Sequence, residues 1–62
     1  MTPRQEKFCV EYLINLNATQ AAIRAGYSEK TAYSMGQRLL KNVEIKSRIK
    51  ELQDLSLIHL SE

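Results

Sequence analysis

The chain has 62 residues and carries nine Lys and Arg against seven Asp and Glu, a formal net charge of +2. A chain this short forms one small domain, which buries only about 60% of its unfolded surface. With one cysteine, Cys9, and one histidine, His59, an internal disulfide and a Cys/His zinc site are excluded. No apolar run approaches the ~20 residues of a membrane span. We therefore expect a soluble protein of the reducing cytosol, without a metal or cofactor.

The first segment has the pattern of a capped amphipathic helix. Residues 2–5, TPRQ, offer an N-cap, a proline at the first helical position and a capping-box partner. They predict a helix over about residues 3–15. Its apolar stripe recurs every four residues, at Phe8, Tyr12 and Leu16. We expect this helix to support the rest of the fold through its core-facing stripe.

The segment that organises the chain is NATQAAIRAGYSEKTAYSMGQRLLKN, residues 17–42. Asn17 at its start has the spacing of an N-cap and predicts a second helix over about residues 18–25. Gly26 follows, where a helix commonly ends in a left-handed conformation, and Ser28 is placed to cap the next helix. Two helices joined by a short turn at a glycine are typical of a helix-turn-helix.

The third helix is predicted over about residues 29–40. Gly36 lies inside it and costs roughly 1 kcal/mol of helix propensity relative to alanine. We therefore expect Gly36 to mark a close contact between helices, with helix one as the candidate partner. In the second helix, four residues before Gly26, Ala22 must be small where the second and third helices cross.

Asn42 resembles the earlier caps and predicts a fourth helix over about residues 43–55. The fold class predicted from these elements is all-α, a compact bundle of four short helices that contains a helix-turn-helix. The helix-turn-helix domain is expected to span residues 1–55. Residues 56–62 form a C-terminal tail or continue helix four.

The outward face of the third helix mixes hydrogen-bonding groups with cations. Gln37 suits adenine, Arg38 suits guanine or phosphate, and the Tyr33 ring suits sugar or a thymine methyl. The start of the second helix can donate backbone N–H groups to a phosphate. A solvated helix face carries similar residues, so this interpretation depends on the turn before it. The predicted DNA-binding residues are Thr19, Gln20, Ser28, Lys30, Thr31, Tyr33, Ser34, Gln37, Arg38 and Lys41.

Residues 2–52 resemble the N-terminal domain of the phage terminase small subunit. The strongest matches are the opening TPRQEKF, the segment NATQAAIRAGYS and the junction LLKN. The resemblance implies a helical DNA-binding module that recognises viral DNA for packaging, in the cytoplasm of a bacterial host. In that family the module precedes a ring-forming oligomerisation domain and a segment that engages the large ATPase and nuclease subunit.

The chain ends at Glu62, so we expect the ring-forming and large-subunit-binding segments of the family to lie outside it. It is then an isolated domain or a shortened phage or prophage product. The expected partners are double-stranded DNA, the terminase large subunit through those absent segments, and further copies in the full-length protein. No membrane is expected among the partners.

Two other classes remain open on sequence grounds. The same motif could serve a transcriptional regulator of phage or prophage origin, which would bind as a dimer to half-sites about 34 Å apart. Alternatively, the alanine-lined second helix could serve a protein-interaction module without DNA binding. An enzyme is not expected, because the sequence shows no nucleophile with a base and no Gly-rich phosphate loop.

Overall fold

Four helices follow one another in a computed structural model that describes residues 1–56. Their bounds are α1 Pro3–Asn15, α2 Ala18–Ala25, α3 Ala32–Lys41 and α4 Val43–Ser56. The described residues contain no strand, and the predicted all-α fold is confirmed. α1 packs against α2 and α4, while α3 packs against α2 and, less extensively, α4. The domain division at residue 55 stays a prediction, and the part of the tail over 57–62 lies outside the described residues.

Three helices begin at the side-chain caps that the sequence predicts. The Thr2 hydroxyl accepts from the backbone N–H of Gln5, and the Gln5 side chain accepts from the backbone N–H of Thr2, both at 3.1 Å. Asn17 caps α2, and the Asn42 side-chain oxygen accepts from the backbone N–H of Glu44 at 2.8 Å. These bonds satisfy amides that a helix start leaves without partners.

The core is small because half of its side chains are small. Phe8 is fully buried and stacks on Tyr12 with ring centroids 6.0 Å apart. The prediction that Leu16 continues this stripe is wrong. Leu16 lies past the end of α1 with φ of 58° and is 54% exposed, because the left-handed turn takes it off the helix face. The buried side chains are Phe8, Cys9, Ala21, Ala22, Ala32, Leu39, Ile45 and Ile49.

The turn after α2 is a Schellman motif centred on Gly26, whose φ is 109°. The N–H of Tyr27 donates to the carbonyl of Ala22, and the N–H of Gly26 donates to the carbonyl of Ile23, both at 3.0 Å. The Arg4 guanidinium lies over the Tyr27 ring, 5.3 Å from its centroid, and connects α1 to this turn. The predicted turn at Gly26 is therefore confirmed.

α3 begins at Ala32 and not at the predicted Glu29, and Ser28 does not cap it. The Ser28 hydroxyl accepts instead from the N–H of Lys30 at 3.2 Å, while the Ser28 carbonyl accepts from the N–H of Thr31 at 3.1 Å. This i to i+3 bond closes a tight turn, which the sequence pattern does not distinguish from the first turn of a helix.

The close contact made by Gly36 is with α2. The sequence interpretation, which placed this contact with α1, is wrong. A Cβ at Gly36 would lie 2.8 Å from the carbonyl oxygen of Ala18 and 3.0 Å from its Cβ. α3 packs on α2 along this contact, so the glycine lets two helix backbones approach. The direction in which α3 faces is consequently set by α2.

α4 is held to α1 by apolar packing and by an ion pair. Arg48 donates from Nε to Glu6 Oε1 at 3.0 Å and from Nη2 to Glu6 Oε2 at 2.8 Å, and from Nη1 to Glu51 at 3.2 Å. These hydrogen bonds lower the pKa of the Glu6 carboxyl and raise the pKa of Arg48. Nearby, Cys9 packs beneath Ile45, and burial raises the pKa of the Cys9 thiol.

Candidate nucleic-acid interface

The outward face of α3 carries five exposed side chains. Tyr33, Gln37 and Lys41 recur every fourth residue, and Ser34 and Arg38 lie beside them. In the described part of the chain, none of these five side chains forms a hydrogen bond or ion pair. Tyr33 is 67% exposed, which is unusual for an aromatic ring in a small domain. The face therefore presents uncommitted donors, acceptors and an aromatic surface.

The turn before α3 holds the three remaining predicted residues of this region. Ser28, Lys30 and Thr31 are exposed, but they lie ahead of the helix instead of on it. The Thr31 hydroxyl donates to the Ser28 carbonyl at 3.3 Å, so it is occupied within the turn. The Lys30 ammonium has no partner among the described residues. The turn thus contributes one available cation at the beginning of α3.

The start of α2 lies beside the middle of α3, because Ala18 contacts Gly36. Gln20 is exposed and Thr19 is half-buried. The N–H of Gln20 donates to the Asn17 side chain at 3.0 Å, which leaves the N–H groups of Ala18 and Thr19 without a helical acceptor. Free N–H groups at a helix start favour an anion. Thr19 and Gln20 therefore lie in the first turn of the helix on which α3 packs.

The cations of the chain fall into two groups. On α1 and α2, Lys7 and Arg24 both pair with Glu11, at 3.9 and 4.0 Å. α3 contains no acidic residue, and its cations, Arg38 and Lys41, have no carboxylate partner among the described residues. Lys7 and Arg24 are thus paired with a carboxylate, whereas the two cations of α3 are not.

A family model described as terminase small subunit matches residues 1–57. The chain belongs to the terminase small subunit family. It is 43% identical to the terminase small subunit of Staphylococcus phage 80alpha over 67 aligned residues, which cover the whole chain and 46% of that protein. It is 45% identical to the terminase small subunit of Bacillus phage SPP1 over 51 residues, 81% of the chain and 35% of that protein.

Another relative is the PBSX phage terminase small subunit of Bacillus subtilis (strain 168), to which the chain is 43% identical over 53 residues. These residues make up 86% of the chain and 20% of that relative. The chain thus spans about half or less of the length of these relatives. No solved structure gives a significant match to the chain. The family suggested by the sequence resemblance is confirmed.

The described residues contain no group of three or more His, Cys, Asp or Glu that could hold a metal ion. None of their helices has the length and apolar character needed to span a lipid bilayer.

Sequence reasoning predicted a close contact at Gly36 but missed its partner, Ala18 of α2. The signals were present, since Gly36 interrupts a helix and Ala18 begins an alanine-rich one, but nothing local identifies them as partners. The contact between Glu6 and Arg48 was also missed, because 42 residues separate the two along the chain.

Proposed function

We propose that this chain is a DNA-binding domain of a terminase small subunit, which recognises viral DNA for packaging by the large terminase subunit. The observation that carries the proposal is the α3 face, where five exposed side chains have no partner in the described part of the chain. Membership of the terminase small subunit family supports the same conclusion. The site of action is then the cytoplasm of the bacterial host.

The proposed contacts divide into two kinds. Tyr33, Gln37 and Arg38 read base edges, since their side chains supply the donors, acceptors and apolar surface that the major groove requires. The other proposed residues bind the phosphate backbone through ammonium groups, hydroxyls, the side-chain amide of Gln20 or the free N–H groups at the start of α2. These are Thr19, Gln20, Ser28, Lys30, Thr31, Ser34 and Lys41. The Thr31 hydroxyl must leave the Ser28 carbonyl to bind a phosphate.

A single domain should bind weakly. With three or four phosphate contacts, the logarithm of the binding constant falls against the logarithm of salt concentration with a slope of about −3, and affinity is about micromolar or poorer. Several domains held together would gain affinity through effective concentration. We therefore propose that the full-length protein is a homo-oligomer and engages the large subunit through segments outside this chain.

The test is a fluorescence anisotropy titration of the 62-residue chain with duplex DNA at several salt concentrations. Replacement of two cations, Lys30→Ala with Arg38→Ala, is expected to weaken binding and to flatten the slope by about 1, because Lys30 is the member of the pair that contacts phosphate. The control, Lys7→Gln with Arg24→Gln, removes the same charge from the paired side of the domain and should leave the slope unchanged. Equal binding by both variants would contradict the assignment of α3.

Two further outcomes distinguish the alternative functions. A transcriptional regulator should prefer promoter fragments to fragments of a viral packaging site, whereas the proposed function requires the opposite order. A protein-interaction module should show no salt-dependent affinity for any duplex. An NMR titration locates the surface independently, with shifts expected along residues 28–41.

A further inference from the structure

Two lysines of α4 lie outside the interface described so far. Lys46 and Lys50 are exposed, and no carboxylate in the described part of the chain pairs with either. They are four residues apart on one helix, so their side chains project from the same flank. This arrangement doubles the positive charge at that flank.

Arg48 shows which way this flank faces. Its guanidinium contacts Glu6, so the flank of α4 that bears Arg48 faces α1. Lys46 and Lys50 are each two residues from Arg48, which places them about 160° from it around the helix. The two lysines therefore lie on the flank of α4 that faces away from α1, and both are exposed. The other helix against which α4 packs is α3.

The junction between α3 and α4 is a single residue, Asn42. Its N–H donates to the carbonyl of Leu39 at 3.1 Å, and its own carbonyl accepts from the N–H of Lys46 at 3.0 Å. Its side-chain oxygen also accepts from the N–H of Glu44. Lys41 at the end of α3 and Lys46 in the first turns of α4 are thus held in a fixed relation.

Little negative charge interrupts the sequence from Arg38 to Lys50. Glu44 is the carboxylate within it, and its separation of two residues from Lys46 places it about 160° away around α4, on the Arg48 flank. Asp54 follows one turn after Lys50 and forms no ion pair with it. Four cations consequently continue from α3 onto α4.

We infer that the DNA-binding surface extends onto α4, where Lys46 and Lys50 bind phosphates of the duplex backbone. The inference rests on the proposed function of the α3 face. An ammonium on a flexible stem is a point charge without a fixed fork, which suits a phosphate better than a base edge. One helical turn advances about 5.4 Å, whereas duplex DNA carries a charge every ~1.7 Å of its axis, so phosphates lie near both lysines.

The role of these lysines differs from that of the α3 side chains. Phosphate contacts fix the register and orientation of a protein on the duplex, but they carry no sequence information. Lys46 and Lys50 therefore act as positioning residues that hold the α3 face against the groove. Replacement of the two lysines should weaken the binding of every duplex by the same factor.

The experiment compares Lys46→Gln with Lys50→Gln, as one double variant, against the wild-type 62-residue chain. Glutamine keeps the helix propensity of lysine, so thermal melting should be unchanged. The salt slope is expected to fall by about 2, so that affinity changes about tenfold less between ~50 and ~200 mM salt. The loss should be equal for packaging-site and unrelated duplexes.

The control double variant, Lys7→Gln with Arg24→Gln, removes the same charge from α1 and α2 and should keep the wild-type slope. The conservative pair Lys46→Arg and Lys50→Arg should also keep it. If Lys46→Gln with Lys50→Gln binds like the control while Lys30→Ala with Arg38→Ala is impaired, the α4 inference is overturned and the proposed function stands. If the wild-type chain has no salt-dependent affinity, both are overturned.

Discussion

Two of the helix–helix junctions of this domain solve the same packing problem in opposite ways. At the α2–α3 junction, side chains are nearly absent, and Gly36 lies against the backbone of Ala18. At the α1–α4 junction, large side chains fill the space, with Phe8 and Ile45 fully buried and Glu6 bound to Arg48 at the rim. An added side-chain atom at Gly36 would collide with the Ala18 backbone, whereas a shortened side chain at Phe8 or Ile45 would leave a cavity.

The two junctions also differ in what they contribute, since one orients the α3 face and the other stabilises the fold. The α2–α3 junction determines where the candidate interface points, so it fixes geometry by direct contact of backbones. The α1–α4 junction contains much of the apolar volume of a thin core and so contributes more to stability. Removal of volume should therefore destabilise the α1–α4 junction, and addition of volume should destabilise the α2–α3 junction.

The largest effect is expected from Ile45→Ala at the α1–α4 junction. Ile45 is fully buried, and truncation of a buried isoleucine costs about 2–5 kcal/mol of unfolding free energy. Urea denaturation should show this loss, while Val43→Ala, at a position 75% exposed, should change little. A loss below about 1 kcal/mol would mean that apolar packing is not what holds α4 in place.

A smaller loss is expected from Gly36→Ala at the α2–α3 junction. Alanine gains roughly 1 kcal/mol of helix propensity, but its Cβ would lie 2.8 Å from the Ala18 carbonyl oxygen, and overpacking costs about 1–3 kcal/mol. The balance is a loss of about 0–2 kcal/mol. The control Ser34→Ala, on the exposed face of the same helix, should be neutral or stabilising. If both variants are stabilised alike, the junction is not tight.

The smallest effect, and the one that depends on pH, is expected from Glu6→Gln. The pKa of the Glu6 carboxyl is held below its ordinary value of 4.5, because Arg48 donates hydrogen bonds to the carboxylate. The unfolded chain therefore binds this proton first as pH falls. The contribution is fully present above the unfolded pKa and is lost as pH falls through the folded pKa.

Thermal melting between about pH 3 and 7 tests this expectation. Glu6→Gln should remove part of the decrease in melting temperature below pH 4.5, the ordinary value of the carboxyl. Arg48→Gln should remove the same part, and the double variant should add nothing further if the two side chains act as a pair. A wild-type profile in Glu6→Gln would show that the ion pair contributes nothing measurable.

What the sequence predicted well was local. Thr2, Asn17 and Asn42 cap helices through bonds that span two or three residues, so their side-chain chemistry alone identifies them. Gly26 ends α2 in a left-handed conformation for an equally local reason. The identities of the outward α3 residues follow from the same periodicity, although their binding to DNA stays a prediction.

The sequence did not predict features in which two local hydrogen bonds compete, or in which the partners are far apart along the chain. The side chain of Ser28 could bond to a helix amide or within its own turn, and the second bond formed, which shortened α3 by three residues. Gly36 predicted a close contact between helices, but the partner helix depends on how α3 crosses α2. The pairing of Glu6 with Arg48 likewise depends on the whole fold.

The side chain and backbone of Asn42 end one helix and begin the next without an intervening linker. Because one hydrogen-bonded residue joins the two helices, the outward surfaces of α3 and α4 form a single preorganised unit. A ligand that binds to both pays little conformational entropy to order them, because the ordering is completed when the chain folds. Calorimetry should then show a heat-capacity change that matches the buried contact area, with no added contribution from coupled folding.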